Sequence, residues 1–166
     1  MPDPAASSIL QHAQRVLDTE AAALAKLARH LPPDFQAATE AMLACKGRVI
    51  VSGVGKSGHI GRKIAATFAS TGTPSYFIHA TEASHGDLGM IGPQDLCLLI
   101  SNSGETAELK DMIAHTRRFS IPMAAISSNG GSTLSKAATF KLTLPDAPEA
   151  CPIGLAPTTS TTLALA

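Results

Sequence analysis

From Arg48 onward, short apolar runs alternate with longer stretches whose apolar positions recur at helical spacing. The runs cover residues 49–51, 75–79, 96–100, 123–127 and 140–144, and residues 59–70, 105–118 and 132–138 between them read as helices. Continuous apolar strands that alternate with helices predict an α/β fold whose parallel sheet is covered on both faces. Ahead of this, residues 7–30 read as one helix, with Leu10, Leu17, Leu24 and Leu31 seven residues apart and Ala13 and Leu27 beside them. Pro32-Pro33 stops that helix, and residues 34–45 read as a second, with Phe35, Ala38 and Met42 on one side. The leucine stripe fits packing on the chain's own sheet, and it equally fits a subunit interface.

Two loops follow strands and precede helices. The first is Ser52-Gly53-Val54-Gly55-Lys56-Ser57-Gly58 and the second is Ser101-Asn102-Ser103-Gly104-Glu105-Thr106. A Gly- and Ser-rich turn at a helix N-terminus offers free N–H donors and a positive dipole end, which suits an anion. Ligands of parallel sheets bind beyond the carboxyl ends of the strands, where both loops fall. Together they point to a phosphorylated small molecule.

Each loop also has a plainer reading. Gly53, Gly55 and Gly58 fit G-x-G-x-x-G, the dinucleotide fingerprint, but Lys56 sits inside the turn and the second strand ends in His79 rather than an acid. A Walker A reading of Gly55-Lys56-Ser57 fails because position 50 is Ile50. Without a ligand, the first loop is a glycine turn for close helix–strand packing. The second loop is then an N-cap with Glu105 in the first helical turn.

Composition narrows the classes. The 166 residues suit one domain, 45% hydrophobic and 16% charged, and Lys plus Arg equals Asp plus Glu at 13 each. A net charge near zero and 4% aromatics leave no footprint for nucleic acid. Cys45, Cys97 and Cys151 lack metal spacing and are expected as buried free thiols in a reducing compartment. No apolar run approaches membrane-spanning length. Met1-Pro2-Asp3-Pro4 begins no leader, so the expected location is cytoplasmic. Residues 160–166 read as the opening of an apolar helix without a cap, which suggests a longer chain.

His79, Glu82 and His85-Gly86-Asp87 follow the second strand as a polar loop. Glu149-Ala150-Cys151-Pro152 follows the last strand, and the hydroxyl-rich run 157–162 includes Ser160. Each His is, by itself, more often a structural residue, and Glu149 a solvated loop charge. In combination, these segments resemble the sugar isomerase (SIS) domain of the D-arabinose 5-phosphate isomerase (KpsF/GutQ) family. The resemblance rests on Gly53 to Lys63, Ala65 to Thr73, Glu82 to Met90, Ser101 to Glu105, Glu149 to Pro152 and Gly154 to Thr162, and runs from about residue 45 to the end.

The resemblance implies a three-layer α-β-α sandwich with a five-stranded parallel sheet, flavodoxin-like or Rossmann-like. Residues 1–45 would be N-terminal helices of the same domain, and 46–166 the sugar-phosphate-binding part. It implies interconversion of D-ribulose 5-phosphate and D-arabinose 5-phosphate for Kdo and lipopolysaccharide biosynthesis, by a cytoplasmic homotetramer or dimer without an organic cofactor. By matching position it implicates Lys56, His85, Glu108 and Glu149 in activity, and His79 in an inhibitory zinc site. Substrate contacts are expected from Ser52, Gly53, Ser57, Gly72, Thr73, His79, His85, Ser101, Asn102, Ser103, Thr106 and Ser160. Family members continue with a Ser-His-Pro-Gly-Gly-like segment and usually a pair of CBS domains. This chain ends before both, so little or no activity is expected of it alone.

Aldose–ketose isomerisation needs a base, a stabiliser for the oxyanion and a grip on the phosphate. The hydroxyl loop supplies the grip, and Lys56 can approach phosphate or oxyanion as a point charge. Glu149 or Glu108 can be the base, with His85 moving protons between oxygens. Three other readings remain open: a SIS-type regulatory module that binds without chemistry, an NAD-binding Rossmann protein, and an isomerase of another phosphosugar.

Overall fold

A computed structural model describes residues 4–166. Met1-Pro2-Asp3, part of the opening read for a leader, lie outside the described residues. The chain divides into two compact units, residues 4–31 with 145–166, and residues 32–144.

The smaller unit holds α1 (Pro4–Arg29) and α7 (Thr159–Leu165), which pack together. Thr162 donates a hydrogen bond of 2.9 Å to Glu20 Oε2, and Lys26 Nζ donates one of 2.6 Å to the Asp146 carbonyl. Ala23, Leu27 and Leu163 are buried. The heptad leucines fare differently. Leu10, Leu17 and Leu31 are 71%, 64% and 54% exposed, and Leu24 is half-buried.

The larger unit holds the sheet. Its elements are α2 (Phe35–Ala44), β1 (Val49–Gly53), α3 (Gly55–Ser70), β2 (Ser75–Phe77), α4 (Ala80–Ser84), β3 (Leu96–Ile100), α5 (Lys110–Arg118), β4 (Met123–Ser127), α6 (Thr133–Ala137) and β5 (Phe140–Thr143). All five strands pair in parallel, in the order β2-β1-β3-β4-β5. Every residue of β1, β3 and β4 is buried, which is why these strands are runs of apolar residues rather than alternating, with Ser52 and Ser127 only toward the carboxyl ends of β1 and β4.

The two faces carry different helices. Ile50, Cys97, Leu99, Met123 and Ala125 join Ala80 and Ala83 of α4, Met112 and Ile113 of α5, and Leu134 of α6 in one apolar core. On the opposite face α3 lies against β1 and β2; a Cβ at Gly61 would stand 3.0 Å from the Phe77 ring. Three layers result, as expected. No helix among the described residues is long and apolar enough to cross a membrane.

Three departures from the sequence reading bear on the site. Residues 80–84, expected as loop, form α4, because Ala80 and Ala83 are buried and His79 Nδ1 accepts the Thr81 N–H at 3.3 Å. The helix expected from Glu105 begins later, with a 3-10 turn at Ala107–Leu109 and then α5. Of the three thiols only Cys97 is buried; Cys45 and Cys151 are free and half-buried.

Candidate functional site

A sheet ordered 2-1-3-4-5 reverses its winding between β1 and β3, and the crevice beyond the carboxyl ends of those two strands is where such folds take ligands. These are the strands that carry the two loops. The register pairs Gly53 with Ile100, so the loops leave the sheet side by side.

The first loop is shaped by contact. A Cβ on Gly58 would stand 2.9 Å from the Gly53 carbonyl oxygen, so only glycine lets α3 start this close to β1. The close-packing reading therefore holds. The anion reading also keeps its basis, because the residue before α3 is Val54, with no side-chain cap on the first amides of a 16-residue helix. Lys56 is exposed in this first turn and Ser57 is half-buried. Ser52 is fully buried and its hydroxyl has no hydrogen-bond partner.

The second loop is ordered by its own side chains. Ser101 Oγ accepts the Gly104 N–H at 3.0 Å and lies 2.7 Å from Thr106 Oγ1, one hydroxyl donating to the other. Ser103 Oγ accepts the Glu105 N–H at 3.2 Å. Gly104 has φ +70°, and a Cβ there would collide with Ser132 Oγ. Asn102 and Ser103 are exposed and Thr106 is half-buried.

Glu105 is not in the first turn of a helix, as the plainer reading expected. Its Oε1 accepts the Thr133 N–H at 2.8 Å, across at the start of α6. That backbone bond, and then the Thr133 hydroxyl, hold its carboxyl below the usual range. The loop after β4, Ser128 to Ser132, with the start of α6, thus becomes a third part of this edge. Sequence reasoning missed it, although Asn129-Gly130-Gly131-Ser132 reads as a turn and N-cap.

Other expected residues fall in three places. His79 and His85 bracket α4, which packs on the 3-10 turn carrying Glu108. Since α4 follows β2 and that turn follows the second loop, all three residues lie toward the same end of the sheet. His85 and Glu108 are exposed. Gly72 and Thr73 are elsewhere. They follow α3, whose 16 residues span about 24 Å, and precede Pro74, whose carbonyl takes the Val49 N–H at the amino end of β1. There they help line a cavity of about 220 Å³ with Met42, Cys45 and Gly47. Within one chain they do not meet the loops.

Glu149 and Ser160 belong to the smaller unit. Glu149 Oε2 accepts the Thr158 N–H at 2.6 Å, the Thr158 hydroxyl at 3.0 Å and the Ser160 N–H at 3.3 Å. It caps α7 rather than sitting in solvent. Burial alone would raise its pKa, but bonds from Ser160 and Thr158 outweigh that and hold it low, so it is ionised at neutral pH. Among the described residues no three His, Cys, Asp or Glu side chains gather to hold a metal ion. The one lone pair on His79 Nδ1 is already engaged by Thr81.

The chain is similar to known proteins over most of its length. The SIS domain profile matches residues 42–166. Arabinose 5-phosphate isomerase KdsD of Yersinia pestis is 55% identical over 155 residues, 93% of this chain and 47% of its own length. Arabinose 5-phosphate isomerase KpsF of Escherichia coli O6:H1 is 50% identical over 171 residues, 100% of this chain and 52% of its own. The chain spans about half the length of the curated relatives it matches. A solved structure from E. coli CFT073, in complex with A5P, superposes with a TM-score of 0.91 at 38% identity, covering 96% of this chain and 85% of that one.

Proposed function

We propose, from the premise that this chain belongs to the SIS domain family, that it forms the sugar-phosphate site of a D-arabinose 5-phosphate isomerase. The observation that carries the reading is the pair of Ser- and Gly-rich loops on β1 and β3 at the winding reversal of the sheet. It is supported by relatives of about half identity named as that isomerase, and by a solved relative holding A5P.

In this reading the substrate phosphate is gripped by neutral donors, the hydroxyls of Ser101, Ser103 and Thr106 and the free amides at the start of α3. Ser52, Gly53, Ser57 and Asn102 complete that wall. Lys56, mobile on its stem, approaches the phosphate or the oxyanion. A carboxylate removes the proton beside the carbonyl to give an enediolate, and His85 moves protons between the oxygens. Glu108, exposed next to the second loop, and Glu149, ionised in the loop ahead of α7 and bonded to its start, are the two candidates. The three bonds on Glu149 hold its carboxyl low and fix it in place.

Ser160 donates to Glu149 and would act through it. Gly72 and Thr73, at the far end of their own sheet, would reach a site only in another copy of the chain. The exposed leucines of α1 suit a dimer or tetramer. No organic cofactor enters this chemistry. An inhibitory zinc on His79 Nε2 would move the ring proton to Nδ1 and cost the Thr81 cap, and it would need ligands from outside these residues. Supply of arabinose 5-phosphate to Kdo and lipopolysaccharide synthesis in the cytoplasm is the role this activity suggests.

The test is incubation with D-ribulose 5-phosphate in deuterated water, with product analysis and calorimetry of D-arabinose 5-phosphate binding. The expected result is arabinose 5-phosphate carrying deuterium at C2. Replacing the base by Gln, at Glu108 or Glu149, should lower turnover by about two to four orders of magnitude. Binding without turnover in the full-length enzyme would favour a regulatory module, and absence of binding would overturn the assignment.

A further inference from the structure

The second loop bonds mostly to itself. Ser101, Ser103 and Thr106 all turn their hydroxyls to partners inside it. Its outward links go to β4, to the loop after it and to α6: the Ser101 N–H donates to the Ile126 carbonyl at 3.0 Å. The Asn102 carbonyl accepts the Ser128 N–H at 2.9 Å and the Ser128 hydroxyl at 2.7 Å, and the Gly104 carbonyl accepts the Leu134 N–H at 3.1 Å. The last link is made by a side chain, Glu105 Oε1 on the Thr133 N–H.

That link sits beside the residues whose hydroxyls would face the ligand. The Glu105 N–H is held by Ser103 Oγ, and Thr106, the next residue, is held by Ser101 Oγ. A carboxylate in a phosphate loop is also an electrostatic hazard, since it repels a phosphate dianion. Bonding it to Thr133 fixes it at α6 and leaves the loop's hydroxyls and amides to face the ligand.

We infer that Glu105 is a positioning residue for sugar-phosphate binding: its carboxylate pins the second loop to the first amide of α6 and so sets Ser103 and Thr106 for the phosphate. The inference rests on the proposed sugar-phosphate site. It assigns Glu105 no contact with substrate, and it makes Thr133, an exposed residue at the start of α6, part of the same device.

The geometry offers a selective test. Thr133 is the first residue of α6, where proline is tolerated, and Ser132 before it is extended at φ −68° and ψ 164°, as a residue preceding proline should be. Thr133→Pro therefore deletes the N–H that Glu105 uses and keeps the helix. Affinity for D-arabinose 5-phosphate is measured by calorimetry for Glu105→Ala, Thr133→Pro, their combination and Glu105→Gln. Glu105→Ala and Thr133→Pro should each weaken binding by about three- to ten-fold, the range for losing one solvent-exposed hydrogen bond that orders the loop. The combination should be no weaker than either alone, because both remove one bond. Glu105→Gln keeps an acceptor oxygen and should bind within about two-fold of wild type, or tighter.

Additive losses, a Thr133→Pro variant that binds as wild type, or a Glu105→Gln variant as weak as Glu105→Ala would each overturn the inference. Hydrogen exchange at the Gly104 and Glu105 amides reads the clamp without ligand. It should quicken in Glu105→Ala and Thr133→Pro while the unfolding midpoint holds, and unchanged exchange would overturn the clamp. If wild type bound no sugar phosphate but the exchange behaved as expected, the clamp would stand and the functional assignment would fall.

Discussion

Replacing Gly104 by Ala tests how the second loop is built. Gly104 is buried, with φ +70°, and the new methyl would fall on Ser132 Oγ and Cβ. Left-handed backbone costs an L-residue about 1–2 kcal/mol. Forced overlap at a packed position adds about 1–3 kcal/mol. The expected loss is therefore about 2–5 kcal/mol, which in a protein of this size lowers Tm by about 5–15 °C. Urea unfolding of wild type and Gly104→Ala measures it, and the Ser132→Gly background separates the two causes. That change removes both colliding atoms, and glycine at an N-cap costs only a few tenths of a kcal/mol. In it Gly104→Ala should cost only the backbone strain and a tight 3.0 Å approach to Ser127 Oγ, so the two substitutions should couple by about 1–3 kcal/mol. Equal cost in both backgrounds would refute the collision with Ser132. A cost below about 0.5 kcal/mol in wild type would refute the strain as well.

Other outcomes follow from single residues. Burial pushes the Cys97 thiol up from 9.0 to about 12, so above pH 9 the unfolded chain releases a proton that the folded chain keeps. Stability should fall as pH rises from about 9 to 12, and urea midpoints for Cys97→Ala should show a flatter slope. Ser103→Ala should weaken sugar-phosphate binding by about 1–3 kcal/mol, and equal affinities by calorimetry would remove this hydroxyl from the site. Leu17→Glu puts a charge on the exposed stripe of α1 and should shift the particle toward monomer in light scattering; a wild-type monomer at micromolar concentration would sink the interface.

Much of this protein was legible in the chain because its sheet is buried on both faces. Full burial makes strands mostly apolar, so β3 and β4 could be read to the residue, while β1 runs on through the buried Ser52 and Gly53, past the apolar run 49–51. The two loops were legible too, since Gly and Ser after a strand leave few other structures open. The ends of elements were less so. Residues 80–84 are polar enough to pass for loop, and only burial of Ala80 and Ala83 against α5 and the neighbouring 3-10 turn makes them α4.

Long-range partners were invisible. Glu105 looks like a residue of its own helix, and only the return of the chain after β4 brings Thr133, 28 residues away, to its carboxylate. Glu149 looks like a loose loop charge until the fold of residues 149–160 turns Thr158 and Ser160 onto it. Gly72 and Thr73 share a sequence neighbourhood with the first loop, yet α3 carries them to the other end of the sheet. Burial patterns and turns are local consequences of side-chain size and polarity, so the sequence carries them directly. The pairing of a carboxylate with one particular amide depends on where the whole sheet returns the chain, and that was decided only by the tertiary structure.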